Sequence, residues 1–287
     1  MINYIADVRI PTSLLIPENI NEDTDFHKIR SELFVRSFFH FNESLNGFVK
    51  FSSEEIGELI GLTCNKYKLT SRDRYKNIVS VLKEYITDEK IIPITEQNLD
   101  TKLEKHLIFR NNIIEPGYTG KDHILTGGRF VPLTIEEYEA IIQERDKDEG
   151  FSNPLIDLHV YLFIKSFIYI RSKRDSEKMR PECCLLAIEQ ISDGCGISKD
   201  RAKESIDFLR NFAQVIASTY PKRIRCVKNN SYSFEIPKTV YVLKKSGYEQ
   251  ELMNGKEKCM REFKNYLKAN GKKMCSYSDD YFDEAFA

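Results

Sequence analysis

The sequence predicts a mostly helical α+β chain carrying two tandem winged helix-turn-helix domains related by an internal repeat. Three observations carry that expectation. Three blocks of sequence recur in one order along the chain. Each copy holds a basic helix behind a Gly-apolar turn, and the second copy continues into a hairpin pattern. Self-similarity of this kind announces an architecture before any single element does.

The longest block lays residues 71–85 over residues 198–212. Identical residues stand at Ser71/Ser198, Asp73/Asp200, Arg74/Arg201, Lys76/Lys203 and Leu82/Leu209. Arg72/Lys199, Val79/Ile206, Lys83/Arg210 and Tyr85/Phe212 match in chemistry. Upstream, residues 33–41 lie over 162–170, and Arg9-Ile10-Pro11 over Phe130-Val131-Pro132.

Each copy opens on an extended lead-in, residues 7–15 and 129–133. An apolar helix follows, residues 27–41 and 154–170. Its apolar residues run nearly all the way round, which marks a buried central helix. Ser52-Ser53 before Glu54-Glu55 is an N-terminal capping pattern, and Ile56, Leu59 and Ile60 form one face behind it. Gly61-Leu62 ends that helix. The counterpart in the second copy is expected at residues 183–191, with its turn at 194–197. The third helices are expected at 73–86 and 199–215, the latter capped by Ser198. Helix, Gly-containing turn and Arg/Lys-rich helix make the helix-turn-helix pattern.

Extended, β-branched sequence follows each third helix. Residues 90–94 and 105–114 supply strands in the first copy. In the second, residues 223–228 and 231–236 flank Asn229-Asn230, a pair that tolerates the positive φ of a tight turn. That hairpin is the expected wing. Turn signals fill residues 95–128, an elaborated first wing or a linker. Residues 143–151 read as a solvated loop or helix end, and 239–245 as extended or irregular. Residues 255–270 read as a polar amphipathic helix with Cys259, Phe263, Tyr266 and Leu267 on a narrow face. The expected division is 1–128, 129–245, and a C-terminal helix with an acidic-aromatic tail over 246–287.

Net charge is −1, but its distribution is uneven. Residues 1–150 hold 19 basic and 26 acidic residues, while residues 151–287 hold 24 and 18. The final twelve residues carry four acids and no base, so residues 151–275 stand at +10. That asymmetry points to an anionic partner for the second half. No run approaches the roughly 18 apolar residues of a membrane span. The N-terminus has no basic start with an apolar block behind it, so cytoplasmic residence is expected. The seven cysteines are odd in number, form no CxxC pair and lack a histidine at ligand spacing, which reads as reduced structural thiols.

Catalytic signatures are missing: GxxxxGK[ST], GxSxG and HExxH do not occur. No enzymatic activity, cofactor or metal is expected. Phe34, Phe38, Phe39, Phe41, Phe163, Phe167 and Tyr169 could be imagined as a base-stacking surface, but their helical spacing among apolar neighbours favours core packing. His40 and His159 on the same helices read as core or boundary histidines.

The ordered blocks, from lead-in strand to basic hairpin, resemble tandem winged-helix DNA-binding proteins over about residues 5–245. Among those, the pattern is most similar to plasmid and phage replication initiators and to replisome-organiser proteins. The resemblance implies duplex DNA as partner, a homodimer on a repeated or palindromic site, and replication initiation. A transcription regulator of the same architecture and a protein-interaction scaffold are the alternatives. The first turns of a recognition helix reach deepest into the major groove. The residues so placed are Ser71, Arg72, Arg74, Tyr75 and Lys76 in the first copy. In the second they are Ser198, Lys199, Arg201 and Lys203. Lys222, Arg223, Arg225 and Lys228 lie on the wing, within reach of phosphates or a minor groove. The acidic balance of the first copy leaves open whether it touches DNA or serves dimerisation. The tail after residue 275 is a candidate docking segment for a protein partner.

Overall fold

A computed structural model describes residues 7–16, 23–44, 46–60, 68–94, 106–111, 113, 130–143, 153–170, 180–219 and 221–275. The first copy comprises β1 (Val8–Pro11), α1 (Thr12–Leu15), α2 (Phe26–Phe41), β2 (Phe48–Ser52), α3 (Ser53–Leu59), α4 (Lys68–Thr87), β3 (Ile91–Pro93) and β4 (His106–Asn111). The second opens with β5 (Phe130–Leu133) and α5 (Ile135–Tyr138), which runs into a π-helical turn over Glu139–Gln143. It continues through α6 (Pro154–Phe167), β6 (Cys184–Leu186), α7 (Ile188–Cys195), α8 (Lys199–Asn211) and β7 (Ile216–Thr219). The hairpin β8 (Ile224–Lys228) and β9 (Ser231–Glu235), then β10 (Thr239–Leu243), complete it. Helix α9 (Tyr248–Ala269) and the short β11 (Lys273–Met274) close the described chain. The class is mixed α+β, helices with small antiparallel sheets.

The repeat extends to topology. One sheet has the order β2-β4-β3 and the other β6-β10-β7, all antiparallel, so the last strand of each trio lies in the middle. The second copy carries β8 and β9 between its two later strands; the equivalent stretch of the first, 95–105, lies outside the described residues.

The two copies meet through equivalent elements. Strands β1 and β5 pair antiparallel with Ile10 opposite Val131, Arg9 opposite Pro132 and Pro11 opposite Phe130. Ile10 and Val131 are repeat equivalents, so this register is symmetric about that pair. Helices α2 and α6 pack on each other beneath it. Leu33, Phe34 and Phe39 share one continuous buried cluster with Leu158, Val160 and Ile164. Each central helix also buries a cation at the same repeat position. Arg36 pairs with Glu32 at 2.9 Å, and the Tyr85 hydroxyl donates to that carboxylate at 2.9 Å. Lys165 pairs with Glu137 at 2.6 Å. Both cations lie almost wholly out of water, so losing either carboxylate would strand a buried charge.

Helix α9 closes the outer face of the β6-β10-β7 sheet. Its buried stripe, Leu252, Gly255, Cys259, Phe263 and Leu267, steps by three or four residues as one helix face must. Gly255 permits the contact, since a Cβ there would fall 2.5 Å from Val240 Cγ1. Farther along, Phe263 and Leu267 close over Ile224 and Cys226 of the β11-β8-β9 sheet.

Several expectations need correction. Residues 183–191 are not one helix: Cys184–Leu186 pair with β10, and α7 begins at Ile188. Residues 239–245 hold the central strand β10, whose Val240, Tyr241 and Val242 are buried. The hairpin does not follow α8 directly, because β7 intervenes. Helix α8 stops at Asn211, short of 215, and Gln214 behind it has φ 52°. Helix α4 starts at Lys68 and α9 at Tyr248, each earlier than the spacing suggests, and Tyr266 on α9 is exposed. The Gly61-Leu62 turn, most of 95–128, residues 144–152 and the tail after 275 lie outside the described residues. The Asn229-Asn230 turn has φ 50° and 62°, matching its expected positive-φ geometry.

Burial also sets a pH dependence. His159 is fully enclosed, with the Phe26 ring 6.4 Å away centroid to centroid. Loss of water, and next the Arg30 guanidinium, push its pKa down to about 3, with the Leu15 backbone acting weakly the other way. The unfolded chain then binds the proton that the folded one refuses. Stability is full above about pH 6.5 and falls as pH drops from there toward 3. Between pH 7.5 and pH 5 this one residue should cost about 2 kcal/mol. Urea titrations of the parent and of His159→Met should show that increment of acid sensitivity in the parent alone.

Candidate nucleic-acid interface

The α7–α8 turn is fixed from within and from the other copy. Gly196 ends α7 in the left-handed region at φ 59°. The Ile197 N–H donates to the Ser192 carbonyl at 3.0 Å, and Ser192 Oγ donates back to the Ile197 carbonyl at 2.6 Å. Phe26 of α2 covers the turn so closely that a Cβ on Gly196 would lie 2.1 Å from its ring. Arg30 reaches from the same helix, its Nη2 donating to the carbonyls of Cys195 at 2.6 Å and Gly196 at 2.9 Å. These carbonyls close a helix that can no longer satisfy them itself. Burial pulls the Arg30 pKa below its ordinary value.

Ser198 then starts α8, its hydroxyl accepting from the Arg201 N–H at 3.2 Å. Ala202, Ser205, Ile206 and Leu209 face inward, and Ser205 Oγ donates to the buried Asp157 carboxylate at 2.5 Å. With that face committed, Lys199, Asp200, Lys203 and Glu204 are turned to solvent. Lys199 pairs with Glu189 at 2.8 Å, which raises its pKa, and Lys203 pairs with Asp200 at 3.2 Å. Exposed pairs of this kind are worth about 0–1 kcal/mol, so an anionic ligand can take over either cation cheaply.

Not every expected contact residue faces outward. Arg201 keeps only 18% of its side chain exposed and pairs with Glu204 at 2.8 Å. Its repeat equivalent Arg74 is half-buried, with Nη1 donating to the Ile60 carbonyl at 3.1 Å. Arg74 thus reaches back to the end of the preceding helix, whereas Arg201 pairs along its own helix. Tyr75 is half-buried against the core. Lys76 is exposed, and the Ser71 and Arg72 side chains lie outside the described residues. On the hairpin, Arg223, Arg225 and Lys228 are exposed and Lys222 is half-buried. The Arg225 guanidinium sits 4.0 Å from the Tyr232 ring centroid.

The aromatic run on the central helices is core, as its spacing indicates: Phe34, Phe38, Phe39, Phe41 and Phe163 are buried. Phe167 at the end of α6 is exposed. A different set, two aromatic and one aliphatic, escapes the sequence reading. Tyr232, Phe234 and Ile236 stand open on β9 and just past it, at 63%, 67% and 56% exposure. Their signal is present in Ser-Tyr-Ser-Phe-Glu-Ile, where every second residue is large and apolar, the period of a strand with one special face.

Compared with protein-family models, curated proteins and solved structures, the chain matches none. Among the described residues, no group of three His, Cys, Asp or Glu is placed to hold a metal ion, and no helix is long and apolar enough to cross a membrane.

Two substitutions probe the turn. Gly196→Ala forces a side chain into both an unfavourable φ and the Phe26 ring, and should cost at least about 1–3 kcal/mol in urea unfolding. Ser198→Ala removes only the cap and should cost about 1 kcal/mol.

Proposed function

We propose that this chain is a cytoplasmic, non-catalytic protein of two tandem winged-helix units. It holds duplex DNA as a homodimer and serves as a replication initiator of a plasmid or phage-like element. The observation that carries the DNA reading is the outward first turns of α8. They present Lys199 and Lys203 from a helix whose start is fixed by Gly196, Ser198 and Arg30. A strand, two helices across a tight turn, two further strands and the β6-β10-β7 order support the winged-helix assignment. Arg223, Arg225 and Lys228 on the β8–β9 hairpin supply cations suited to phosphates. The +10 balance of residues 151–275 favours a polyanion. Initiation follows from the resemblance of the ordered repeat to initiators.

The groove-reading set of α8 is Ser198, Lys199, Arg201 and Lys203, of which Lys199 and Lys203 are the exposed cations and Arg201 is held by Glu204. Removing one phosphate-binding cation lowers the salt slope of binding by about one. Anisotropy titrations with duplex fragments from the DNA around the gene should therefore show affinity falling steeply with salt. Lys199→Ala with Lys203→Ala should weaken binding at every salt concentration. A footprint on repeated sites beside AT-rich DNA is the expected outcome. One overlapping a transcription start would reassign the protein to regulation, and salt-insensitive or absent duplex binding would end the DNA reading.

A further inference from the structure

The β11-β8-β9 sheet has two unlike faces. Toward α9 it turns Ile224 and Cys226, which pack with Phe263 and Leu267. Paired residues in an antiparallel sheet share a face. Lys273 pairs with Val227, Val227 with Tyr232, and Arg225 with Phe234, so these side chains stand together on the other side. Ile236 continues the row past the end of β9, and Arg223 precedes β8 in the same alternation.

That outer face has an unusual composition. Tyr232, Phe234 and Ile236 are more than half exposed, and Arg223, Arg225 and Lys273 are exposed beside them. Glu235 is the only acid in the three strands, and it belongs to the opposite face, opposite Ile224 and bound to Lys272. The stability of the sheet does not require these rings, because its apolar contacts lie on the α9 side. Burial of any one of them would have contributed about 1.5–3 kcal/mol, yet the fold leaves all three in water. The Arg225 guanidinium already lies over Tyr232 in the stacked arrangement that planar cations adopt on rings. Phe234, directly across from Arg225, keeps its ring open.

From this juxtaposition we infer that the outer face of the β11-β8-β9 sheet binds single-stranded polynucleotide, its bases stacking on Tyr232 and Phe234 and its phosphates meeting Arg223, Arg225 and Lys273. A duplex hides its base faces and offers such rings nothing. An unpaired strand offers alternating π-faces and anions, and rings within a basic surface are the general solution for holding it. A protein partner would find apolar surface here too, but a row of three cations with no facing acid among the described residues favours the polyanion. The site shares Arg223 and Arg225 with the hairpin of the duplex reading but takes nothing from α8, so variants at Tyr232 and Phe234 and variants at Lys199 and Lys203 test the two readings separately.

The test uses the full chain with fluorescent oligothymidylate and oligouridylate, the two arms deciding between a DNA and an RNA strand. The original protein should bind at least one of them. Tyr232→Ala and Phe234→Ala should each weaken that binding roughly 5- to 150-fold, the range that loss of base–aromatic stacking brings. Phe234→Trp should retain it, and duplex affinity should stay constant in all three. Lys199→Ala with Lys203→Ala should do the reverse, losing duplex and keeping single strands. Photocrosslinking of a bromodeoxyuridine oligomer to the unmodified chain should mark Tyr232 or Phe234. The inference is overturned if single strands do not bind, if crosslinks map elsewhere, or if the alanine variants abolish self-association while single-strand binding is unchanged.

Discussion

Helices α2 and α6 are buried over most of their length, and their apolar sides must be covered. Each has a basic helix from its own copy against one flank, and the remaining flank is closed by the other copy. This contact, roofed by the β1–β5 pairing, is what the rest of the chain depends on. It turns two repeated sequences into one continuous core. Cations are also buried at equivalent points of the two helices, Arg36 and Lys165. Each central helix carries a polar group that only a neighbouring carboxylate can satisfy, and the fold supplies Glu32 and Glu137.

The contact also reaches the surface. Phe26 and Arg30 lie at the start of α2 in the first copy, yet they hold the turn that sets the angle of α8 in the second. A change in how the copies pack would therefore be felt at Lys199 and Lys203. This gives the first copy a role even where its charge is unfavourable for an anionic partner: it acts on the second copy as a clamp. Of the matched arginines, Arg74 donates to the Ile60 carbonyl at the end of the preceding helix, while Arg201 pairs with Glu204 along α8.

The second copy is the more elaborate. An inserted hairpin and a C-terminal helix give it two sheets, both closed by α9 on one side. The first copy's sheet keeps Phe48, Ile92 and Ile94 exposed, with no described helix across them. Among the described residues the chain is symmetric at its centre and asymmetric at its periphery. Lys228, Lys272 and Lys273 lie in or beside the hairpin and the C-terminal helix and add to the basic balance of the second half.

Local chemistry settled a good deal by itself. The repeat, the central helices, the Ser52 and Ser198 caps and the Asn229-Asn230 turn were legible because each depends on residues close in sequence. Helical periodicity, a hydroxyl near free N–H groups and tolerance of positive φ act over a few residues. The β6-β10-β7 sheet was not legible, because Cys184–Leu186 and Thr239–Leu243 become strands only by pairing with each other across some fifty residues of chain. Which cations face outward was likewise beyond the sequence: Arg201 and Lys203 sit two positions apart on one helix, and the burial of Ala202 and Ile206 on the face that α8 turns inward decides which of them meets water. Spacing set the elements; burial against distant partners set the faces they show.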